Sequence, residues 1–312
     1  MSRPKIVFMG TPEFAVPSLE ILITHDYPVA AVVTQPDRPK GRGRHMIFSP
    51  VKTCAQSHGL IILQPERVRN SEFIEHLRTL CPDIIVVAAF GQILPREILE
   101  LPPKGCVNVH PSLLPKYRGA APINWAIIRG ETKTGVTIML MDEGMDTGDI
   151  LMQEETPVAP GETSGELHDR LAGMGADLLI KSIEMIATDT ITRTPQDACL
   201  ATYAPRLKKE DGLIRWDSEV HHIVNLIRGL SPAPGAYSLL KGKTLKIFSA
   251  TEEEALMKDM PGTVARETEK GLPITAKNGY VYLQDVQIEN KKRMPVHDFL
   301  RGFRISHGDI LR

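Results

Sequence analysis

The sequence predicts an α/β fold in its first part, a doubly wound and mostly parallel sheet, with a small antiparallel barrel at the end. Two observations carry this. Up to about residue 110, short continuous apolar runs alternate with helical patterns at the spacing of β–α–β units. From residue 245 onward, short alternating stretches are separated by Gly and Lys turns, the pattern of a small antiparallel barrel. At 312 residues the chain suits two domains.

Lys5–Met9 (KIVFM) reads as a buried strand, and Pro17–Thr24 as a helix with Pro in its first turn. Val29–Val33 is a second strand. Ser49 and Pro50 supply an N-cap and a first helical residue, and Gly59 ends that helix. Ile84–Ala88 (IIVVA) is continuous and β-branched, the composition of a strand buried on both faces. Val107–Val109 reads as the end of a fourth strand. Val136–Leu140 and Ile150–Glu154 are strands joined by the loop Met141–Asp149. A long helix follows from Thr163 to Ala187, opened by a capping box of Thr163 and Glu166. Residues 190–206 are polar and read as a linker. Beyond them come a helix near Glu219–Leu230 and strands at Leu245–Phe248, Gly262–Ala265, Leu272–Thr275 and Tyr280–Gln287.

Apolar residues make up 42% and charged residues 24% of the chain, which places it among globular rather than disordered proteins. The opening MSRPKIVFMG is too short an apolar run for a signal peptide, and no stretch of about 18 apolar residues occurs. A cytoplasmic location without a membrane partner is expected, as a monomer. Cys54, Cys81, Cys106 and Cys199 form no CxxC pair, so reduced structural thiols are expected and no metal site. His221-His222 has no evident third ligand. Residues 1–206 carry 20 Lys/Arg and 24 Asp/Glu, and residues 207–312 carry 17 and 14. The modest positive excess at the end matters only beside a basic loop described below.

Ligands of an open α/β sheet sit beyond the carboxyl ends of its strands. Three segments converge there: Gly10-Thr11-Pro12, Ala89-Phe90-Gly91 and Asn108-Val109-His110. Gly10 is not followed by the glycines of a dinucleotide fingerprint, which argues against a dehydrogenase. Asn108 and His110 are two apart on an extended backbone and leave the same face. An amide beside an imidazole suits charge growing on a carbonyl oxygen. Asp146, in the glycine-bearing loop Met141–Asp149, is a candidate base or histidine partner. A His–Pro or an Asp–Thr–Gly alone is usually only a turn. Both at the mouth of one sheet shift the reading to a site.

The combination of NVHPSLLPKYRG at 108–119 with DEGMDTGD at 142–149 resembles the folate-dependent formyltransferases, and the likeness runs the whole chain. GTPEF at 10–14, TQPDRPKGRGR at 34–44, SLLPKYRGAAPINWAI at 112–127 and GVTIMLMDEGMDTGDIL at 135–151 are similar to those members that formylate methionine esterified to initiator tRNA. The resemblance implies a Rossmann-like catalytic domain over 1–189, a linker over 190–206, and a tRNA-binding barrel of the oligonucleotide-binding type over 207–312. It implies 10-formyltetrahydrofolate as cosubstrate, initiator methionyl-tRNA as acceptor, and no metal. The family's catalytic trio falls on Asn108, His110 and Asp146. Its folate-contacting segments fall on Ser112, Leu113, Leu114 and Pro115, and on Phe90, Gly91, Ile93 and Leu94, with the pterin between that last segment and the loop 141–147. Pro111, where some relatives have Gly, lacks a backbone donor and is given no hydrogen-bonding role.

Arg38-Pro-Lys40-Gly-Arg42-Gly-Arg44 places four positive charges in seven residues at the ligand end of the sheet. Most short charge runs are solvated loops. Here a polyanion would approach, and Lys and Arg supply sequence-independent affinity for phosphate. The resemblance implies that this loop enters the acceptor stem, with Arg42 the first candidate. Lys208 and Lys209 are further candidates, with Lys291, Lys292 and Arg293 behind them. Trp125 and Trp216 read as core rather than base-stacking platforms. Formylation of a small amine remains open, as does hydrolysis of a formyl-folate, although those enzymes usually differ in their accompanying domains. A binding module without catalysis would leave Asn108, His110 and Asp146 with no role.

Overall fold

The computed structural model describes residues 3–40 and 45–312. The chain folds into two compact units, one of Met1–Gly119, Lys133–Pro157 and His168–Ala204, the other of Ala120–Thr132, Val158–Leu167 and Pro205–Arg312.

In chain order the first elements are β1 (Ile6–Gly10), α1 (Val16–Thr24), β2 (Val29–Val33), β3 (Arg38–Lys40), β4 (His45–Ile47), α2 (Pro50–Ser57) and β5 (Ile62–Leu63). Then come α3 (Ser71–Leu80), β6 (Ile84–Ala88), α4 (Arg96–Leu99), β7 (Cys106–His110), β8 (Arg118–Gly119) and α5 (Pro122–Ile128). β9 (Lys133–Leu140), β10 (Ile150–Pro157), α6 (Ser164–Ala187) and β11 (Tyr203–Ala204) complete the series to residue 204.

The first unit is built on a seven-stranded sheet in the order β10-β9-β7-β6-β1-β2-β5. β5, β2, β1, β6 and β7 run parallel. β1 and β6 are buried at every residue, as their continuous apolar sequences require of strands covered on both faces. β9 is antiparallel to β7, and β10 to β9. The direct loop 141–149 leaves the last pair no other orientation, since a parallel pair needs a longer crossover. The sheet is thus mostly parallel, as expected. Because the chain leaves β1 toward β2 on one side and reaches β6 on the other, the switch point lies at the carboxyl ends of β1 and β6.

Helix ends follow local chemistry. Ser49 Oγ accepts the Lys52 N–H at 3.0 Å, and Pro50 opens α2. At the start of α6 the Glu166 carboxylate accepts the Thr163 N–H at 2.8 Å while Thr163 Oγ1 accepts the Glu166 N–H at 3.3 Å, a reciprocal capping box. Gly175 sets α6 close against the sheet, since a Cβ there would lie 2.7 Å from Val109.

The second unit contains α7 (Val220–Gly229), β12 (Ala236–Leu240), β13 (Lys243–Glu254), β14 (Leu272–Ala276), β15 (Gly279–Ile288), β16 (Met294–Pro295) and α8 (Val296–Gly302). Its strands form an antiparallel half-barrel in the order β12-β13-β15-β14, with β16 on β15. Trp216, Ile223, Ile247, Ile274 and Leu283 are among its buried core. The expected strand Gly262–Ala265 is not one: only isolated bridges, Thr263 to Ile310 and Val264 to Ile274, hold it. Gly262, at φ +88°, is turned out of extended geometry. α5 belongs to this unit, where Asn124 Nδ2 donates to the Gly229 carbonyl at 2.8 Å. Trp216 is core, while Trp125 is half-buried and donates from Nε1 to the Pro205 carbonyl at 2.7 Å. No helix among the described residues is long and apolar enough to cross a membrane.

Candidate active site

β7 delivers both of its polar side chains to the carboxyl end of the sheet, between β6 and β9. Asn108 is half-buried, and its side chain makes no hydrogen bond among the described residues. His110 is only 4% exposed. Its Nε2 lies 3.0 Å from the Tyr117 carbonyl, and its Nδ1 lies 3.7 Å from Asp146 Oδ2. A carbonyl can only accept, so Nε2 carries a proton. Nδ1 is within ion-pair reach of Asp146 but beyond hydrogen-bond distance, so it is left facing the cleft side of the site.

Asp146 sits in the loop between β9 and β10 with φ +54°, in the left-handed region. Its Oδ2 also accepts the Gly119 N–H at 2.8 Å. Asp142 organises the loop, accepting the Gly144 N–H at 3.0 Å and the Thr147 hydroxyl at 2.7 Å. Gly148 is required there because a Cβ would run into the Leu140 carbonyl. Asn108 and His110 thus lie at the carboxyl end of β7, and the loop after β9 brings Asp146 within ion-pair reach of His110.

The cofactor candidates divide by exposure. Thr11 Oγ1 and Gln35 Nε2 both donate to the Phe90 carbonyl, at 3.1 and 3.2 Å, tying the loops after β1, β2 and β6 together. The Phe90 side chain is buried in the apolar core, Gly91 turns the chain at φ +86°, and Leu94 is buried. Ile93 is 69% exposed, facing outward as few isoleucines do. A cleft of about 180 Å³ lies between Gln92–Leu94 on one side and Met139 with Met141–Asp146 on the other. Ser112–Pro115 is fixed by Thr137, whose Oγ1 donates to the Ser112 carbonyl at 2.6 Å and accepts the Leu114 N–H at 3.2 Å. Gln153 Nε2 holds the Leu114 carbonyl at 2.7 Å. The Ser112 hydroxyl is spent on the Lys116 carbonyl at 2.6 Å, and Leu114 is buried, while Leu113 and Pro115 are half-buried.

Of the basic residues, Arg38 is exposed and begins β3, which pairs antiparallel with β4. Arg42, Arg44 and the Lys40 side chain lie outside the described residues. Asp37, next to β3, accepts from Lys52 and Gln64, and these bonds, Lys52's first, hold its carboxyl below the usual range. Lys208 and Lys209 are exposed, and Arg293 is paired with Asp285 at 2.6 Å. His221 and His222 do have a third neighbour: Glu219 brings a carboxylate so that one ligand atom from each lies within 4.8 Å. That carboxylate is already paired with Lys277 at 3.2 Å.

Sequence reasoning misses Arg118, Gly119 and Gln196. The run expected as a linker is instead tied into the first unit: β11 pairs with β8, Thr194 bridges Ile150, and Thr202 Oγ1 accepts the Tyr117 N–H at 2.9 Å. Gly119 is the one local clue, since its φ of +120° and the Ala204 carbonyl 2.7 Å from a Cβ there leave no room for a side chain.

Profiles of two families match this chain, "Formyl transferase" over residues 4–183 and "Formyl transferase, C-terminal domain" over residues 206–304. The methionyl-tRNA formyltransferase of Syntrophus aciditrophicus (strain SB) is 61% identical over the full length of both chains. That of Geotalea uraniireducens (strain Rf4) is 49% identical over 100% of this chain and 99% of its own. Among solved structures, HypX from Aquifex aeolicus in complex with tetrahydrofolic acid superposes with a TM-score of 0.66 at 20% identity. The match covers 96% of this chain and 47% of HypX, so the chain spans about half the length of that protein. WlaRD, a sugar 3N-formyl transferase solved in the presence of dTDP and 5-N-formyl-THF, gives 0.67 at 21% identity, over 94% of this chain and 100% of its own. At those identities the two structures speak for the fold alone.

Proposed function

The chain belongs to the formyl transferase family, and we propose that it transfers the formyl group of 10-formyltetrahydrofolate to the α-amino group of methionyl-initiator tRNA. The observation that carries this reading is the 61% identity, end to end, with a methionyl-tRNA formyltransferase.

The residues present fit such a folate. The cleft beside Asp146 has apolar walls at Leu94, Met139 and Met141 for a flat ring, with loop backbone on both sides to meet its polar edge. In the reaction the amine nitrogen bonds to the formyl carbon, the bond from that carbon to N10 breaks, and the proton lost by the amine is matched by one gained at N10. The Asn108 amide and the His110 Nδ1–H, which at 3.7 Å from Asp146 is within ion-pair reach but not hydrogen-bonded to it, would donate to the oxygen as its charge develops. Asp146, within ion-pair reach of His110, would hold the charged ring and take up the amine's proton directly or through water. The exposed cations Arg38, Lys208 and Lys209, with Lys40, Arg42 and Arg44, would neutralise acceptor-arm phosphates, and holding that arm positions the amine against the formyl carbon. The barrel over 207–312 would serve the tRNA, and the cytoplasm would be the site of action of a monomer.

Incubation with 10-formyltetrahydrofolate and a panel of acceptors tests the reading: methionyl-initiator tRNA, a glycinamide ribonucleotide, an amino-sugar nucleotide, and water alone. Formylation of the methionyl-tRNA alone is expected. Preferential use of a small amine, or simple hydrolysis, would replace it.

A further inference from the structure

We propose that Gln196 is a positioning residue for the reaction, holding Asp146 in its working geometry while anchored itself by the buried guanidinium of Arg118. The inference rests on the catalytic reading of Asp146 given above.

The geometry around Gln196 uses its whole amide. Nε2 donates to the Asp146 carbonyl at 2.9 Å and to the Gly148 carbonyl at 2.8 Å. Oε1 accepts from Arg118 Nε at 3.1 Å and Nη2 at 2.7 Å. A carboxamide has two N–H groups and two lone pairs, so every capacity is filled. The orientation is also fixed, because the reverse rotamer would set its oxygen against two carbonyls and its N–H groups against a cation.

The two ends of this amide act on the same carboxylate. At one end it clamps the main chain of Asp146 in a left-handed conformation, one that Asp tolerates better than most residues but that the two bonds to Gln196 hold in place here. At the other end it fixes Arg118, whose neighbour Gly119 donates its N–H to Asp146 Oδ2. The Asp146 main chain and side chain are therefore both located through Gln196. Arg118 is 5% exposed, and among the described residues its side chain has no carboxylate partner, only this amide. A buried guanidinium is costly to leave without acceptors, which makes its attachment to Gln196 firm. The segment is held on either side, by the Thr194–Ile150 bridge and by β11 on β8, so Gln196 is presented from a fixed backbone.

Two substitutions separate positioning from mere cohesion. Gln196→Glu keeps an acceptor for Arg118 and strengthens it with charge, but removes both donors to the loop. Gln196→Ala removes both functions. Each is made also in an Asp146→Asn background, and formyl transfer to methionyl-initiator tRNA is followed with 10-formyltetrahydrofolate as donor. A displaced reacting group typically costs on the order of 100-fold. Both single variants are expected to lose roughly that in kcat, with KM for either substrate changed by less than about three-fold. In the Asp146→Asn background neither should cost anything further, since no catalytic carboxylate remains to be placed. Wild-type kcat in Gln196→Glu, or the same loss in both backgrounds, would overturn the inference while leaving the proposed function standing. A wild-type chain that transfers no formyl group would overturn both.

Discussion

His110 Nδ1 lies 3.7 Å from Asp146 Oδ2, the same oxygen that accepts the Gly119 N–H at 2.8 Å. The other ring nitrogen is turned to the Tyr117 carbonyl at 3.0 Å. The histidine is thus held from within by main chain and met from the cleft side by a carboxylate that is itself 19% exposed.

This arrangement separates the two variants. Asp146→Asn keeps size and acceptor and should lower kcat by on the order of 100-fold or more, the usual worth of a positioned acid–base group, with an unchanged melting curve. His110→Ala should be as inactive but also less stable. Placement at a strand end suggests that truncation there costs little, yet the ring is buried, and its loss removes its packing and its hydrogen bond to the Tyr117 carbonyl, the bond alone worth about 0.5–1.5 kcal/mol. Kinetics and denaturant melts on both proteins check this; a stable His110→Ala with normal turnover would remove the assignment.

Asn108→Ala gives the opposite balance. Its side chain makes no hydrogen bond among the described residues, so stability should be nearly wild-type. Loss of one oxyanion donor should cost roughly 100- to 1,000-fold in kcat. A structural Asn108 would show the reverse, a lower melting point with the rate preserved.

How much of the fold and site is legible in the sequence depends on how local each cause is. β1, β2 and β6 are legible because strands buried on both faces are continuous apolar runs, and the α6 capping box because its two residues are three apart. Asn108 and His110 can be paired by strand periodicity, and Asp146 is a candidate base or histidine partner from its loop at the mouth of the sheet; that the three form one trio comes from the resemblance. Gln196 is not legible: its partners Asp146 and Arg118 lie 50 and 78 residues away, and such a contact leaves no periodic trace. For the same reason a polar, proline-bearing run reads as a linker although its residues to 204 pack with the first unit. α5 groups with the second unit through Asn124 and Gly229, 105 residues apart. A cut at residue 206 would therefore strip α5 of its packing.

The basic run Arg38–Arg44 should act through charge. Replacing Arg42 and Arg44 by Ala should weaken methionyl-tRNA binding and reduce the log–log salt slope by about 0.7–0.9 for each phosphate no longer neutralised. Folate affinity should not change. Binding titrations over a range of salt check this, and an unaltered slope would mean that neither arginine meets a phosphate.

The α6 cap makes a prediction about pH. The Thr163 main-chain N–H, and then its hydroxyl, hold the Glu166 carboxyl below the usual carboxylate range. A depressed carboxyl stabilises the fold above its unfolded-state value, and that contribution fades as pH falls through the folded one. Glu166→Gln should therefore be less stable than wild type at neutral pH, with the gap closing in acid. Thr163→Ala should cost about 1 kcal/mol at neutral pH. Urea melts between neutral and acidic pH read both; a gap that stays constant with pH would contradict the carboxylate's part in the cap.

The most direct measurement is the initial rate of N-formylmethionyl-tRNA formation from 10-formyltetrahydrofolate, for wild type and Asp146→Asn side by side, both shown folded. Steady turnover by the wild type and a loss of about 100-fold or more in the variant is the expected result. Equal rates in the two would contradict a site built on Asn108, His110 and Asp146, and no product from either would contradict the transfer itself.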